Sequence, residues 1–466
     1  MERHASSVAR ARPRPSGGEL LRLAWPLMLA QMAFLGMSAV DTWVAGQYSA
    51  ITLAGVGLGA SVTMVGFSLL LGIGLAVAPA VSRQIGAGTP QARIGAWVRG
   101  ALTRSIWLWT GLMLLLQLLA GPLARAIAPE PAVATELAAY LRWATLGYPL
   151  VGVFFVLRNV IEAHSISRPV MVWGLAALGL NLPLDLAFVY GWGPLPEMGA
   201  AGCGLATSLI HALLGLGLLA TLRLHPATRR LPLAAGAESP SGAREMLRQG
   251  LPIGLALVAE TGLFALGGLL MARYGTAALG AHHIVVTLSA LGFMLQVGIG
   301  QATAVLIGRA LGRGHAAELR AAAVAGLRLC LALALVVALI YGGLGRLLIA
   351  QFSRDVEVQA IGAAFMGWAA LFHVFDALQA LHASALRGVR DTAAVMRRTL
   401  CAYMLVGAPL MLLLTLAGQP ADRAIWGPIT LALAVAAALL MHRFWPRLDQ
   451  VLPPNPDPHP KPEPRP

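Results

Sequence analysis

Four acidic side chains lie inside stretches of the sequence that are otherwise apolar. The chain has 20 Asp and Glu residues, and most of them lie in polar segments or near the chain ends. The four exceptions are Asp41, Asp185, Glu260 and Asp376. A carboxylate at the centre of a membrane helix costs about 2.5–3.5 kcal/mol on insertion scales. Four such residues in one chain therefore indicate a function or a set of buried partners.

Glu260 and Asp376 lie at similar predicted depths. Glu260 follows Arg248 by twelve residues, and Asp376 precedes Arg387 by eleven. At a helical rise of about 1.5 Å per residue, the two carboxylates are about 18 and 16 Å from those arginines. Two carboxylates close together at low dielectric either share a proton or enclose a cation such as Na⁺. We therefore expect a cation-coupling site, with H⁺ and Na⁺ both open; a structural hydrogen bond is the alternative.

Asp41 and Asp185 form a second pair with matched depth. Asp41 lies nineteen residues beyond Arg22, and Asp185 lies seventeen beyond Arg168, about 28 and 25 Å along their helices. Asn181 lies one turn below Asp185, so the three side chains can form one polar pocket. We expect this pocket, near the outer side of the first half, to bind protons or substrate, unless the side chains are only hydrogen-bonded structurally.

Four other residues could line a cavity between the helices. His373 and Gln379 lie three residues on either side of Asp376 and share its helical face. A proton relay through His373 is possible, and a packed histidine is the alternative. Gln31 could line the cavity or bond to a neighbouring helix, and Phe293 suits an adaptable apolar wall or plain packing. Apart from Na⁺ at the Glu260 and Asp376 pair, we predict no metal site and no cofactor.

The composition is that of a membrane protein. Of 466 residues, 58% are hydrophobic and 12% are charged, and the mean hydropathy is +0.72, whereas soluble domains have about a quarter charged residues. The net charge of +14 comes without a basic patch interleaved with aromatics, so a soluble enzyme and a nucleic-acid binder are excluded. The cysteines lie too far apart in sequence to indicate a disulfide framework or a zinc site; they are Cys203, Cys330 and Cys401.

Twelve segments are long enough to cross a bilayer as helices, which needs about 20 apolar residues. They lie near 20–46, 51–82, 92–121, 132–163, 168–191, 200–223, 246–272, 277–310, 316–347, 356–388, 392–416 and 422–442. The chain thus divides into five parts: a basic cytoplasmic arm (1–18), a first lobe (19–223), a cytoplasmic linker (224–245), a second lobe (246–442) and a proline-rich tail expected to be disordered (443–466).

Arginines cluster in alternate gaps between the spans. The arginine-rich gaps include the residues Arg83, Arg93, Arg99, Arg158, Arg168, Arg309, Arg313, Arg320, Arg390, Arg397 and Arg398. The first gap has none, and the third holds only Arg125. The positive-inside rule therefore predicts that both termini are cytoplasmic, and we expect a multi-pass protein of a bacterial inner membrane.

The two halves of the chain resemble each other at one constant offset, which places Tyr48 on Tyr274. At this offset 66–74 (GFSLLLGIG) aligns with 292–300 (GFMLQVGIG). Arg83, Gly86 and Gly88 likewise align with Arg309, Gly312 and Gly314. With six spans each, both halves insert the same way up, so we predict two lobes related by a pseudo-twofold axis along the membrane normal. Two lobes facing a central cavity suit alternating access.

Several stretches together resemble the multidrug and toxic compound extrusion (MATE) transporters, in particular their NorM-like branch. They include WPLMLAQMAFLGMSAVDTWVAG, LNLPLDLAFVYG, LPIGLALVAETGLFAL and FHVFDALQALHASALRGVRDT, and the resemblance extends over about 19–442. It implies a MATE-like fold of twelve helices in two lobes. It also implies export of cationic, lipophilic compounds driven by inward Na⁺ or H⁺, with no enzymatic activity.

The resemblance assigns roles residue by residue. Asp41 matches the acid of the first span, implicated in that family in protonation or substrate binding, and Asn181 matches an asparagine of the fifth. Glu260 and Asp376 resemble the cation site of the second lobe. Relatives often have Asn in place of Asp185. Further departures are at Gln296, Leu306 and Phe293.

Two other functions remain as alternatives. A flippase for lipid-linked sugars has a similar architecture, but it would need a basic central cavity. An integral-membrane enzyme would need a catalytic cluster at one interface, such as HExxH, which this sequence lacks. We expect a monomer whose partners are small organic cations and membrane lipids, with no nucleic acid.

Overall fold

The structure, a computed structural model, describes residues 17–128, 130–233 and 239–451. Most of the predicted N-terminal arm, the middle of the linker and the tail from residue 452 lie outside this part of the chain.

The described part of the first half consists of α-helices joined by short turns. Its helices are α1 (Gly17–Tyr48), α2 (Ala50–Gly74), α3 (Val77–Gly86), α4 (Gln91–Ile127), α5 (Pro131–Leu146), α6 (Tyr148–Ala163), α7 (Arg168–Tyr190) and α8 (Ala200–Leu224). In this half α1 packs against α7, α7 against α8, and α5 against both α2 and α8.

The second half repeats this arrangement. Its helices are α9 (Pro240–Met271), α10 (Thr276–Arg313), α11 (Ala316–Ala350), α12 (Val356–Gly388), α13 (Thr392–Leu400), α14 (Ala408–Leu416) and α15 (Gly427–Val451). A π-helical turn, Cys401–Gly407, joins α13 to α14, and a second one, Asp422–Trp426, precedes α15.

The predicted number of membrane spans is confirmed. Eleven helical segments are long and apolar enough to cross a membrane, and the bent pair α5–α6 makes the twelfth. The bend of 45° lies at Gly147, whose N–H donates to Ser208 Oγ at 3.0 Å. A Cβ at Gly147 would lie 2.7 Å from the Ser208 backbone, so only glycine allows α8 to pass this close.

Three helices extend beyond the predicted boundaries of the arm, the linker and the tail. The linker begins after Leu224, but α9 already begins at Pro240, five residues before the predicted end of the linker. The last helix continues to Val451, so residues 443–451 are helical rather than part of a disordered tail. At the other end, α1 begins at Gly17, just inside the predicted arm. In each case the helix extends beyond the apolar stretch into polar sequence, which a hydropathy criterion does not detect.

The internal repeat is visible as reciprocal contacts between the two halves. Gly86 leaves no room for a Cβ against the Arg309 carbonyl, and Gly312 leaves none against the Arg83 carbonyl. Gly72 packs on Gly254, and their repeat counterparts, Gly298 and Met28, pack on each other in the same way. Gly308 packs on Ser82, which is its own counterpart. Replacing both residues of such a contact by their repeat counterparts gives another contact that the structure contains. A pseudo-twofold axis between the two halves produces this pattern.

These contacts lie near one end of the bundle, where α1 and α3 pack against α10 and α2 against α9. This arginine-rich end carries the α3–α4, α6–α7, α10–α11 and α12–α13 turns and the linker. The α3–α4 and α10–α11 turns use equivalent glycines, Gly88 with φ +68° and Gly314 with φ +73°, a conformation that favours glycine.

Candidate functional site

The first-half acids form a hydrogen-bonded cluster, which we call the N-lobe site: Asp41, Asn181, Asp185 and Thr207. Asn181 Nδ2 donates to Asp41 Oδ1 at 2.9 Å, and Thr207 Oγ1 donates to Asp41 Oδ2 at 3.2 Å. Asn181 and Asp185 lie one turn apart on α7, Asp41 on α1 and Thr207 on α8. The structure therefore brings together the three side chains that the sequence predicts, and it adds Thr207.

Asp185 makes this cluster unusual. Its side chain is 0% exposed, and neither carboxyl oxygen accepts a hydrogen bond from a donor in the described residues. It lies within hydrogen-bonding reach of the Asp41 carboxyl group. Two ionised carboxylates at this separation in a buried site repel strongly, so the pair needs a shared proton or a bound cation.

The second-half acids form the C-lobe site, which consists of Glu260 on α9 and Asp376 on α12. The two carboxyl groups are near enough for their charges to interact, although the described structure shows no direct hydrogen bond between them. Asp376 is 1% exposed, and its Oδ2 has no donor among the described residues. Glu260 is half-buried and also interacts electrostatically with Arg387.

His373 is packed as an aromatic ring beside this site. It is 0% exposed and makes edge-to-face contacts with Tyr341 and Phe372, with ring centroids 5.0 and 5.3 Å apart. Neither ring nitrogen has a hydrogen-bond partner in the described residues. The Gln296 amide donates to the His373 backbone carbonyl at 3.3 Å.

Gln379, 5% exposed, lies nearly one turn beyond Asp376 on α12. Phe293 on α10 is half-buried and follows Gly292, against which the His373 ring packs. Their predicted role in lining a cavity stays a prediction.

Gln31 belongs to a different cluster, at the interface between the halves. Its Oε1 accepts a hydrogen bond from Arg158 at 2.6 Å, and Arg158 also donates to Glu162 at 2.7 Å. A longer contact of 3.5 Å joins Arg158 to Gln301 on α10. The Arg158 guanidinium also stacks over the Phe34 ring, 5.3 Å from its centroid.

This cluster corrects the sequence analysis in two respects. The arginine pattern places Arg158 beside a gap between spans, but the side chain is buried, with 4% exposure. Glu162 is a further acid that is buried in a helix, with 1% exposure, and the sequence hides it because HSISR, which follows it closely, indicates a helix end. The i, i+4 spacing of Arg158 and Glu162 is the available signal for a buried ion pair.

The two halves use one scaffold for different chemistry. In the internal repeat, Glu260 and Asp376 are equivalent to Phe34 and Leu150 of the first half. Asp41 and Asp185 are equivalent to Gly267 and Met411 of the second half. Each acidic pair is thus replaced by apolar residues in the other half. Within the described residues, no group of three or more His, Cys, Asp or Glu side chains could hold a metal ion, so a cation at either site would need hydroxyl, amide or backbone oxygens as well.

Comparison with known proteins agrees with this architecture. A family model described as MatE matches residues 26–187 and again 252–413, two segments that occupy equivalent positions in the internal repeat. The chain is 35% identical over 431 residues to the multidrug resistance protein PmpM of Pseudomonas aeruginosa, covering 91% of this chain and 90% of the relative. The chain therefore belongs to the MATE family of transporters, and it is not an enzyme.

Solved structures show the same fold. The Vibrio cholerae MATE transporter VcmN in its bent form aligns with a TM-score of 0.82 at 17% identity, over 93% of this chain and 97% of that chain. The eukaryotic MATE transporter AtDTX14 aligns with a TM-score of 0.84 at 19% identity, over 93% and 97%. The predicted all-helical fold with two six-helix lobes is confirmed.

Proposed function

We propose that this transporter exports lipophilic organic cations in exchange for an inward-moving H⁺ or Na⁺. The observation that carries the proposal is the contact between the Asp41 and Asp185 carboxyl groups, with Asp185 buried and without a donor among the described residues. Such a pair binds a proton or a small cation readily, because charge neutralisation removes the repulsion. The relative in Pseudomonas aeruginosa is named a multidrug resistance protein, which supports export of varied compounds.

The acidic sites couple the ion to the substrate because the small cation and the organic cation compete for the same negative charges. When either site is ionised, its negative charge attracts an organic cation. When H⁺ or Na⁺ occupies the site, that attraction is lost, and the substrate is released. Ion and substrate thus favour different states of the protein, which is the requirement for exchange.

The distribution of arginines indicates which end of the transporter faces the cytoplasm. We propose that the arginine-rich end faces the cytoplasm of a bacterial inner membrane, with both termini on that side, and that helices α1–α8 form one lobe and α9–α15 the other. Since the lobes pack together at this end, we propose that this state is closed to the cytoplasm. We propose that one chain suffices for transport.

A four-residue contact, which we call the clasp, holds this end closed: Arg83, Trp97, Glu245 and Arg390. Glu245 Oε1 accepts from Arg83 at 3.1 Å and from Arg390 at 2.8 Å, and its Oε2 accepts from Trp97 at 3.1 Å. Partial burial and the nearby charge of Arg83 lower the pKa of Arg390, whereas Glu245 raises it. One carboxylate from α9, in the second half, thus binds two donors of the first half.

The experiment uses purified protein in liposomes loaded with a fluorescent cationic dye, with an imposed Na⁺ or H⁺ gradient. We expect one gradient to drive dye movement, and we expect Asp41→Asn to abolish it. Asp422→Asn is the matched control, because this acid accepts a hydrogen bond from Trp368 at the opposite end of the second lobe. Absence of dye movement under both gradients with folded protein would refute the proposal and favour an exporter of lipid-linked or other amphiphilic metabolites.

A further inference from the structure

The second lobe contains a buried hydroxyl group whose position has no structural explanation. Tyr403 is 1% exposed, and its Oη has no hydrogen-bond partner among the described residues. Burying a hydroxyl without a partner costs free energy, so such groups in folded proteins call for an explanation in terms of a ligand, a water or an ion.

The electrostatic surroundings of Tyr403 point to the C-lobe site. Its phenol interacts with the charges of both Glu260 and Asp376, and Asp376 Oδ2 is itself without a donor in the part of the chain that the structure describes. Tyr403 belongs to the same cluster of buried, mostly apolar residues as Ala432 and Ala436 of α15. Tyr403 is thus a buried polar group on which the charges of both acids act.

The depth of Tyr403 agrees with this position. Asp376 precedes the end of α12 at Gly388 by twelve residues, and Tyr403 follows the start of α13 at Thr392 by eleven. At about 1.5 Å per residue both side chains lie about 16–18 Å from the same turn, which is also the depth of Glu260.

The backbone is irregular at this point. Tyr403 lies in the π-helical turn Cys401–Gly407, which packs against both α9 and α15. A π-helical turn rotates the side chains that follow it relative to a regular α-helix, and such turns occur frequently at functional sites. Gly407 allows the turn to approach α9, because a Cβ there would lie 3.2 Å from the Leu263 side chain.

The internal repeat gives an independent reason. In the first lobe, the acidic site is built from the first span, which carries Asp41, and the fifth, which carries Asn181 and Asp185. In the second lobe the corresponding spans carry Glu260 and Tyr403, with Asp376 added from α12. The first span of each lobe thus carries an acid, and the fifth span carries further polar side chains.

We propose that the Tyr403 hydroxyl is a third ligand of the C-lobe site, which turns to donate to an ionised carboxylate and offers its oxygen to Na⁺ when that ion is bound. This inference rests on the proposed ion coupling. It assigns Tyr403 to ion affinity rather than to the stability of the fold.

The test compares Tyr403→Phe with Tyr341→Phe in the same liposome assay. The Tyr341 hydroxyl is also buried in the second lobe, but it donates to the Leu288 carbonyl. Removing a ligand to a charged group changes affinity by about tenfold. We therefore expect Tyr403→Phe to raise the half-saturating Na⁺ concentration about tenfold. If H⁺ is the ion, the pH of half-maximal transport rises by about one unit, since the donor that favours the ionised carboxylate is lost.

We expect Tyr341→Phe to leave the ion dependence unchanged and to lower the melting temperature. Unaltered ion dependence in Tyr403→Phe would overturn the inference, as would an equal shift in both variants. In an Asp376→Asn background, Tyr403→Phe should add no further shift, because the two residues act through one site.

A second readout separates this inference from the proposed function. The melting temperature in detergent is measured at rising NaCl, against choline chloride at equal ionic strength, and across pH. If the wild type binds the ion but moves no dye, ion-dependent stabilisation still reports the site. A weaker dependence in Tyr403→Phe then supports the inference although dye export has failed, and an unchanged dependence refutes it.

Discussion

Replacing Glu245 by Gln should open the arginine-rich end of the transporter. Of the three hydrogen bonds that this carboxylate accepts, those from Arg83 and Trp97 cross between the lobes, whereas the one from Arg390 stays within the second lobe. Opening this end breaks only the two bonds that cross, so only these two bias the equilibrium towards the closed state.

The expected change in free energy between the closed and open states depends on how exposed the Glu245 and Arg83 side chains are. The side chains of Glu245 and Arg83 are 16% and 30% exposed, so the ion pair is partly screened by solvent and contributes less than a buried pair. We assign about 1 kcal/mol to the charge that Glu245→Gln removes, since glutamine can still accept one hydrogen bond. About 1 kcal/mol changes the ratio of open to closed molecules about fivefold.

The assay is a distance measurement between spin labels at Gln91 and Ala317. These exposed positions lie in the first turns of α4 and α11 and are equivalent in the repeat. Cys203 and Cys330 are buried and Cys401 is exposed, so Cys401→Ser provides the background. We expect the long-distance population to increase about fivefold in Glu245→Gln.

Glu318→Gln is the matched control for this prediction. Glu318 also has a side-chain exposure of 16%, but it pairs with Arg313 inside the second lobe, so its loss should leave the distance distribution unchanged. An unchanged distribution in Glu245→Gln, or an equal change in both variants, would refute the role of the clasp.

Three other substitutions test the packing and the buried charges. Gly86→Ala should cost about 1–3 kcal/mol by forcing a Cβ against the other lobe, whereas Gly111→Ala, with nothing within 4 Å, should not destabilise the protein; thermal unfolding checks both. Glu162→Gln leaves the Arg158 guanidinium without its counter-ion and should lower stability by about 3–5 kcal/mol, and adding Arg158→Met should restore most of it. Asp185→Asn should change the ion dependence of dye transport without lowering the melting temperature, because this carboxylate accepts no hydrogen bond in the described structure; a large loss of stability would instead indicate a structural role.

The sequence predicts the depth of a side chain in the membrane better than the direction in which it points from its helix. The matched depths of Asp41 and Asp185 correspond to a real contact, because the rise per residue of a helix is nearly constant. The sequence does not predict Thr207, because its side chain reaches Asp41 only through the rotation of α8 about its own axis. The small residues around Thr207 in the sequence indicate only close helix packing.

Local irregularities account for the other omissions. Tyr403 lies in a π-helical turn, which shifts side-chain positions in a manner that apolar periodicity does not reveal. Arginines in membrane proteins concentrate outside the bilayer, so the sequence predicts a boundary position for Arg158. Its counter-ion Glu162 and the Gln31 amide allow it to be buried instead, and that three-residue network exists only in the folded protein.

The central claim, exchange of an organic cation for a small one at the acidic sites, is tested most directly by driving the protein in reverse. A dye gradient is imposed on liposomes without any ion gradient, and ²²Na⁺ movement and internal pH are followed together. Because coupling is reciprocal, we predict that the dye gradient drives one of the two ions in the opposite direction, and that Asp41→Asn abolishes this movement. Dye that crosses the membrane through the wild-type protein while neither ion moves would contradict the account.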